Sequence, residues 1–292
     1  MSNVSAGNAV IVLSSHVVRG AVGNRAAVFA LETLGHPVWA VPTVTLAWHP
    51  GHGPSSRIVA SEDDFDRLIA DLERAPWLGE VSGVLSGYLG SASQAEPIAR
   101  LVKAAKARNP GAIYLCDPVI GDEKGLYVPE ATAAAIRETL LPLADIATPN
   151  RFELSWLSGV ALGDNRAVME AALDLGPEAM LVTSAFSTIP GGIGNLLLTP
   201  LIALMAEHRR IAEPVNGIGD LTSALFLARL LAGLDEERAL QTTTASVFEV
   251  LARAAKRGAD ELMLQADAAS LSAPMAMVHM RRLQHPTRGI RA

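Results

Sequence analysis

Short apolar runs alternate with longer stretches of helical period through most of the chain. Ala9–Leu13 reads as a buried strand, and a polar, glycine-bearing loop from Ser14 to Asn24 follows it. The spacing then predicts a helix over Arg25–Leu34, stopped by Gly35, the residue type that accepts the left-handed position past a helix end. Val38–Val44 is the next strand, and Ser61 with Asp64 marks the capped start of a helix through Arg74. Val81–Ser86 predicts a strand ending at Gly87-Tyr88. Gln94–Arg108 predicts a helix closed by Asn109-Pro110-Gly111, and Ile113–Cys116 a short strand ending at Asp117-Pro118. A helix opening at Pro129, a strand at Ile146–Thr148, helices after Pro149 and Asp164, and a strand at Met180–Thr183 continue the alternation. From Asp220 onward the pattern is helical almost throughout, and the polar residues Gln284–Ala292 read as a frayed tail.

Strands alternating with helices predict βαβ units, hence an α/β fold with a mostly parallel central sheet and helices on both faces. No internal repeat, linker or low-complexity run divides the chain, so one domain over residues 1–292 is expected. Ligands of such sheets bind beyond the carboxyl ends of the strands. The residues there are Ser14-Ser15-His16, the His49–Gly53 loop, Gly87-Tyr88, Asp117, Thr148–Asn150 and Thr183-Ser184.

Composition narrows the function. Of 292 residues 50% are hydrophobic, which is ample for a core and excludes a disordered chain. A net charge of −6 without a basic cluster argues against a nucleic-acid partner. The single cysteine, Cys116, rules out an internal disulfide and fits a reducing compartment. No basic region precedes the first apolar run, so no signal peptide is expected. Leu196–Ala206 is interrupted by Pro200 and Leu221–Leu234 by Arg229, so neither is expected to enter a membrane. The expectation is a soluble, cytoplasmic protein.

The glycine fingerprints of P-loop and dinucleotide-binding proteins are missing. What stands out is Asn216-Gly217-Ile218-Gly219-Asp220, leading straight into an apolar helix. Two glycines let backbone N–H groups approach an anion, and the helix N-terminus adds unpaired donors and a positive dipole end. That suits a phosphoryl group in transfer, with an adjacent acid to take a hydroxyl proton. The same residues read equally well as a glycine turn with Asp220 as an ordinary N-cap. In Thr148-Pro149-Asn150-Arg151-Phe152-Glu153, Asn150 and Glu153 fall on one helical face, where they would hold a magnesium water shell. Taken singly, a helix start with Asn150 as cap is the better reading. Asp117 and Asp122 follow a central strand and could serve a metal or phosphate through water, although turn acids more often serve the turn itself. Cys116 reads as a small core residue. His49 and His52 have a metal-like spacing but no third ligand, and the Gly and Pro around them suit a substrate loop.

Assembled, these segments resemble the pyridoxal kinases of the ribokinase-like superfamily, from about Val10 to about Ala254. The resemblance is carried by Ser15-His16-Val17-Val18-Arg19-Gly20 with Gly23-Asn24, by Leu85-Ser86-Gly87-Tyr88-Leu89-Gly90, and by Cys116-Asp117-Pro118-Val119 with Gly121-Asp122. Tyr127-Val128-Pro129-Glu130 and Thr148-Pro149-Asn150 through Glu153 add to it. It implies transfer of the ATP γ-phosphoryl group to the 5′-hydroxyl of pyridoxal. Ser15 and Tyr88 would then meet the pyridine ring, and Pro50-Gly51 would belong to the substrate loop. Asp117, Thr148, Asn150, Glu153 and Thr183 would line the ATP side, with Asp117 and Glu153 toward Mg2+. Gly217, Ile218 and Gly219 would form the anion hole, and Asp220 would be the base. The resemblance also implies a homodimer and, in many members, a potassium requirement. The chain departs from the family pattern at Ile218, where threonine is frequent, and at Trp48 and Pro50, where asparagine and threonine are common. The rival readings are a hydroxymethylpyrimidine-type kinase of the same superfamily and a B6 vitamer-binding protein without catalysis.

Overall fold

The computed structural model describes residues 8–212 and 214–286, so residues 287–292 of the expected tail lie outside the described residues. In chain order the elements begin with β1 (Ala9–Val17), α1 (Asn24–Thr33), β2 (Val38–Leu46), β3 (Arg57–Ile58), α2 (Glu62–Glu73), β4 (Val81–Ser86) and α3 (Ala95–Arg108). They continue with β5 (Ile113–Cys116), β6 (Gly121–Asp122), β7 (Gly125–Leu126), α4 (Glu130–Ala135), β8 (Ile146–Ala147), α5 (Arg151–Ser158), α6 (Asn165–Asp174) and β9 (Ala179–Ala185). The last part holds β10 (Gly192–Leu198), β11 (Ala203–Arg209), α7 (Ile218–Leu231), α8 (Glu236–Arg257), α9 (Ala268–Ser272) and β12 (His279–Arg282).

Ten strands form one sheet in the order β12-β11-β10-β9-β8-β5-β4-β1-β2-β3, and β6 pairs with β7 in a separate ribbon. From β2 through β1, β4, β5 and β8 to β9 every pairing is parallel. Helices cover both faces. Ile11 and Leu13 of β1 point into one core with Ile98, Leu101 and Leu154, while Val10 and Val12 point into the other with Leu221, Leu225 and Leu240. A strand buried on both sides has no polar face, which is why Ala9–Leu13 is apolar without alternation. Helix starts follow local chemistry: the Ser61, Asp164 and Asp235 side chains accept the N–H of Asp64, Ala167 and Arg238.

Six strands escape the sequence pattern: the two-residue β3, β6 and β7, and the longer β10, β11 and β12. β10 and β11 form an antiparallel hairpin around Pro200, with Leu197 opposite Leu204. Both of their faces are largely buried, so they merge into one apolar stretch without a period. β12 corrects the expectation of helix to the end. It adds to β11 at the sheet edge, with Leu204 opposite Arg282, and its exposed His and Arg side chains carry no apolar signal. The expected tail is tied down at its start, because His285 Nε2 lies 2.8 Å from the Thr199 carbonyl oxygen. β1 also runs past Leu13 to Val17, because Ser14–Val17 keep pairing with β2 through a bulge whatever their polarity. Among the described residues, no helix is long and apolar enough to cross a membrane.

Arg229 fastens α7 to α8 and α9 from within. It is buried, and its guanidinium donates to Thr243 Oγ1 at 2.9 Å, Ser246 Oγ at 2.7 Å and the Leu271 carbonyl at 2.8 Å. Burial lowers its pKa to about 10, because loss of hydration disfavours the charged guanidinium and its partner oxygens are neutral. Arg229→Ala should therefore cost about 2–4 kcal/mol in denaturant unfolding, from lost packing and three stranded acceptors. An unchanged unfolding midpoint would show that the helices pack without this bond set.

Candidate active site

The carboxyl ends of the parallel strands and the N-terminus of α7 meet on one side of the sheet. Gly217 holds the helix start at φ +92°, a left-handed value open to glycine, and an added Cβ would lie 2.0 Å from the Ala21 carbonyl oxygen. A Cβ on Gly219 would meet no atom within 4 Å, so that side of the turn is open. Asp220 is the third residue of the helix, not its N-cap, which corrects the plainer reading of the glycine turn. Its carboxylate accepts N–H bonds from Gly23 and from its own backbone, yet loss of water pushes it up to about 6. β4 ends close by. A Cβ on Gly87 would sit 2.6 Å from Ser14 Oγ and 4.0 Å from Asp220 Oδ1, so a side chain there would displace the Ser14 hydroxyl.

On the far side stands Asp117, just beyond β5. Thr148 Oγ1 donates to its Oδ1 at 3.0 Å and lies 2.8 Å from Ser223 Oγ, one turn along α7 from Asp220. Burial, and then the Asp220 charge, push Asp117 up to about 7. Glu153 is buried as well. Its Oε1 accepts from Ile120 N at 3.1 Å and its Oε2 from Asn150 N at 2.7 Å, while Asn150 Oδ1 accepts from Glu153 N. This is the reciprocal cap expected of a helix start, and Glu153 also reaches a second loop. Burial first, and the Asp117 charge second, hold Glu153 well above the usual carboxylate range. Thr183 bridges to Asn150, which brings that pair to the same edge. Ser184 beside it takes φ +57°, uncommon for a non-glycine residue and frequent where strain serves a site.

The opposite flank holds Ser15, Tyr88 and the His49–Gly53 loop. Ser15 is buried against Gly23, whose added Cβ would clash with Ser15 Oγ at 2.3 Å. Half-buried Tyr88 is pinned through its backbone: its N–H donates to Ser14 Oγ at 3.2 Å and its carbonyl accepts from Thr43 Oγ1 at 2.6 Å. Pro50 and Gly51 form an exposed short turn, and a Cβ on Gly51 would come 3.2 Å from Asn216 Nδ2, so the loop reaches the glycine turn. The two imidazoles are engaged separately. His49 Nδ1 accepts Gly51 N–H, and His52 Nε2 meets Glu261 Oε1 at 2.8 Å.

The contacts thus link most of the sequence-predicted residues into two groups, one on each side of Gly217–Asp220. Asp122 stands apart, since its Oδ1 accepts Lys124 N–H within the β6–β7 turn. Cys116 is buried, and burial pushes its thiol up to about 12, which removes it from chemistry. Ser223, Ser14 and Gly23 gained no role from sequence. Ser14 stood among the strand-end residues and Gly23 in the family motif, whereas Ser223 was signalled only by its spacing from Asp220 on one helix. Among the described residues, no three His, Cys, Asp or Glu side chains group as a metal site.

Comparisons with known proteins identify the family. Residues 79–264 match the phosphomethylpyrimidine kinase family. The chain is similar to a pyridoxal kinase PdxY of Rubrobacter xylanophilus, 40% identical over 281 residues that cover 94% of this chain and 97% of that protein. It is 36% identical to the PdxY of Leifsonia xyli subsp. xyli over 261 residues, or 87% of this chain and 92% of that one. A pyridoxal kinase from Leishmania donovani, solved in complex with ADP and pyridoxamine, superposes with a TM-score of 0.89 at 26% identity. The superposition covers 95% of this chain and all of that one.

The raised Asp117 predicts a pH-dependent stability. Its pKa near 7 in the fold stands above about 4 for an unfolded chain, so the folded state binds the extra proton and stability falls as pH rises across that window. Asp117→Asn removes the decline. Without ATP or divalent metal, the variant should gain on the wild type between pH 5 and pH 8, by up to about 1.4 kcal/mol per pH unit. A stability gap equal at both pH values would show that Asp117 titrates at its ordinary value.

Proposed function

We propose that this chain, which belongs to the pyridoxal kinase family, transfers the γ-phosphoryl group of ATP to the 5′-hydroxyl of pyridoxal with Asp220 as base. The observation that carries the residue roles is the place of Asp220: a carboxylate held by Gly23 N–H on an open glycine turn, between two groups of polar strand ends. Pyridoxal lies on the side of Ser15 and Tyr88, with Pro50-Gly51 over it. ATP lies on the side of Asp117, Thr148, Asn150, Glu153 and Thr183.

The chemistry follows from the groups in place. Asp220 accepts the hydroxyl proton as the alcohol oxygen bonds to phosphorus and ADP departs with the electron pair of the broken P–O bond. The backbone N–H groups around Gly217, Ile218 and Gly219 and the α7 N-terminus receive the charge on the phosphoryl oxygens. Ile218 lacks a hydroxyl, and the backbone donors serve without one. Asp117 and Glu153 fit Mg2+: burial raises both carboxylates, the Asp220 charge raises Asp117 further and the Asp117 charge raises Glu153, and a hard cation would relieve that repulsion. Both Glu153 oxygens already accept backbone N–H bonds, so its contact would pass through water. When bound, Mg2+ would neutralise phosphate charge. A potassium ion, a homodimer and a cytoplasmic setting complete the reading. Exposed Val18 and Ile58, beside the β3 edge, offer an apolar face for a second copy.

Purified protein with Mg-ATP should convert pyridoxal to its 5′-phosphate. Turnover of hydroxymethylpyrimidine in its place would move the substrate to the rival kinase. Asp220→Asn should lower kcat by about 10² to 10⁴ while pyridoxal affinity, by calorimetry, changes far less. Because the base must be ionised, wild-type kcat should fall as pH drops below about 6, and that limb should vanish in the variant. Binding without transfer by the wild type would favour the carrier reading. Glu153→Gln should lower kcat and raise the Mg2+ concentration needed for half-maximal rate; normal activity across a Mg2+ titration would leave Glu153 a capping acid alone.

A further inference from the structure

Glu261 lies beyond α8, outside the set of strand-end residues, and is 9% exposed. Both of its oxygens serve loops of the proposed pyridoxal side. Oε1 lies 2.8 Å from His52 Nε2 and 3.7 Å from Arg19 Nη1. Oε2 accepts Ala21 N–H at 3.3 Å. The chain turns tightly under it at Gly20, where φ is +115° and an added Cβ would lie 2.6 Å from Oε1. A carboxylate so removed from water is costly, and its contacts here do not brace the core. They join three segments distant in sequence: the Arg19–Ala21 turn, the His49–Gly53 loop and the connection after α8. The first two lead to the reacting centre. Ala21 presses its carbonyl on Gly217 and is followed two residues later by Gly23, whose N–H holds Asp220, while Gly51 borders Asn216.

We propose that Glu261 is a positioning residue that latches the His49–Gly53 loop to the Arg19–Ala21 turn and so fixes the vitamer pocket. This rests on the reading of that flank as the pyridoxal side. The latch acts on the acceptor substrate and leaves the ATP side, built on Asp117 and Thr148, untouched.

The test compares Glu261→Gln, His52→Gln and the double variant, with Asp260→Asn, whose bond to Arg19 is exposed at both ends, as control. Glu261→Gln should raise KM for pyridoxal about tenfold, the scale of one charged hydrogen bond, with KM for ATP changed less than about twofold. His52→Gln should raise it less, and the double variant should match Glu261→Gln because the two share one contact. Hydrogen exchange at Gly51–Gly53 should quicken in each variant except the control. Equal rises in both KM values, a fall in kcat alone, or multiplying effects in the double variant would overturn the latch. Should Glu261→Gln fail to fold, His52→Gln decides alone: faster exchange with a higher pyridoxal KM supports the latch, and wild-type values overturn it. A wild type without pyridoxal turnover would overturn the kinase reading, while the exchange measurement would still judge the latch.

Discussion

The start of α7 lies so close to the Ala21 carbonyl that a side chain at Gly217 would bring its Cβ to 2.0 Å. That contact locks two segments of remote sequence into one surface. It brings Gly23 N–H to the Asp220 carboxylate and aims the helix N-terminus at the space beside it. Widening it by a methyl group would shift the donors and the base together, and catalysis by positioning tolerates little displacement. The packing of α1 against α7 through Ala26, Ala27, Ala224 and Leu225 holds the contact from behind.

Three acids, Asp220, Asp117 and Glu153, crowd the same edge. Each is raised by lost hydration, and Asp117 and Glu153 are raised further by a neighbouring charge. The fold compensates with local donors: Gly23 N–H for Asp220, the Thr148 hydroxyl for Asp117 and backbone N–H groups for Glu153. The residual repulsion makes the cleft receptive to cations and leaves Asp220 poised near the pH at which a carboxylate can both accept and release a proton. Instability and function share one cause here, since water excluded from the site raises the acids and strengthens every interaction within it.

The parallel strands and the antiparallel extension have different duties. β1, β4, β5, β8 and β9 end where chemistry is placed, while β10, β11 and β12 widen the sheet. Glu207 of β11 ties this extension back to the edge. It is fully buried, and it accepts Thr188 N–H at 2.6 Å and a bond from Arg281 Nε at 3.3 Å. The loop after β9 is thereby held by a strand far from it in sequence.

By itself the sequence determined most elements of the α/β core, their helix caps and the polar strand ends, because these depend on period and on neighbours within a few residues. Ser61, Asp164 and Asn150 cap helices as their spacing implied. The glycine turn before Asp220 was equally legible, although whether Asp220 capped the helix was not. Tertiary structure alone decided what depended on contact between distant segments. β12 is a strand only because β11 offers it an edge, and Ser14 matters only because β4 passes within reach of its hydroxyl. Glu261 serves two loops more than two hundred residues away. The raised acids belong to the same class, since neither burial nor a charge brought near by folding is written in local sequence.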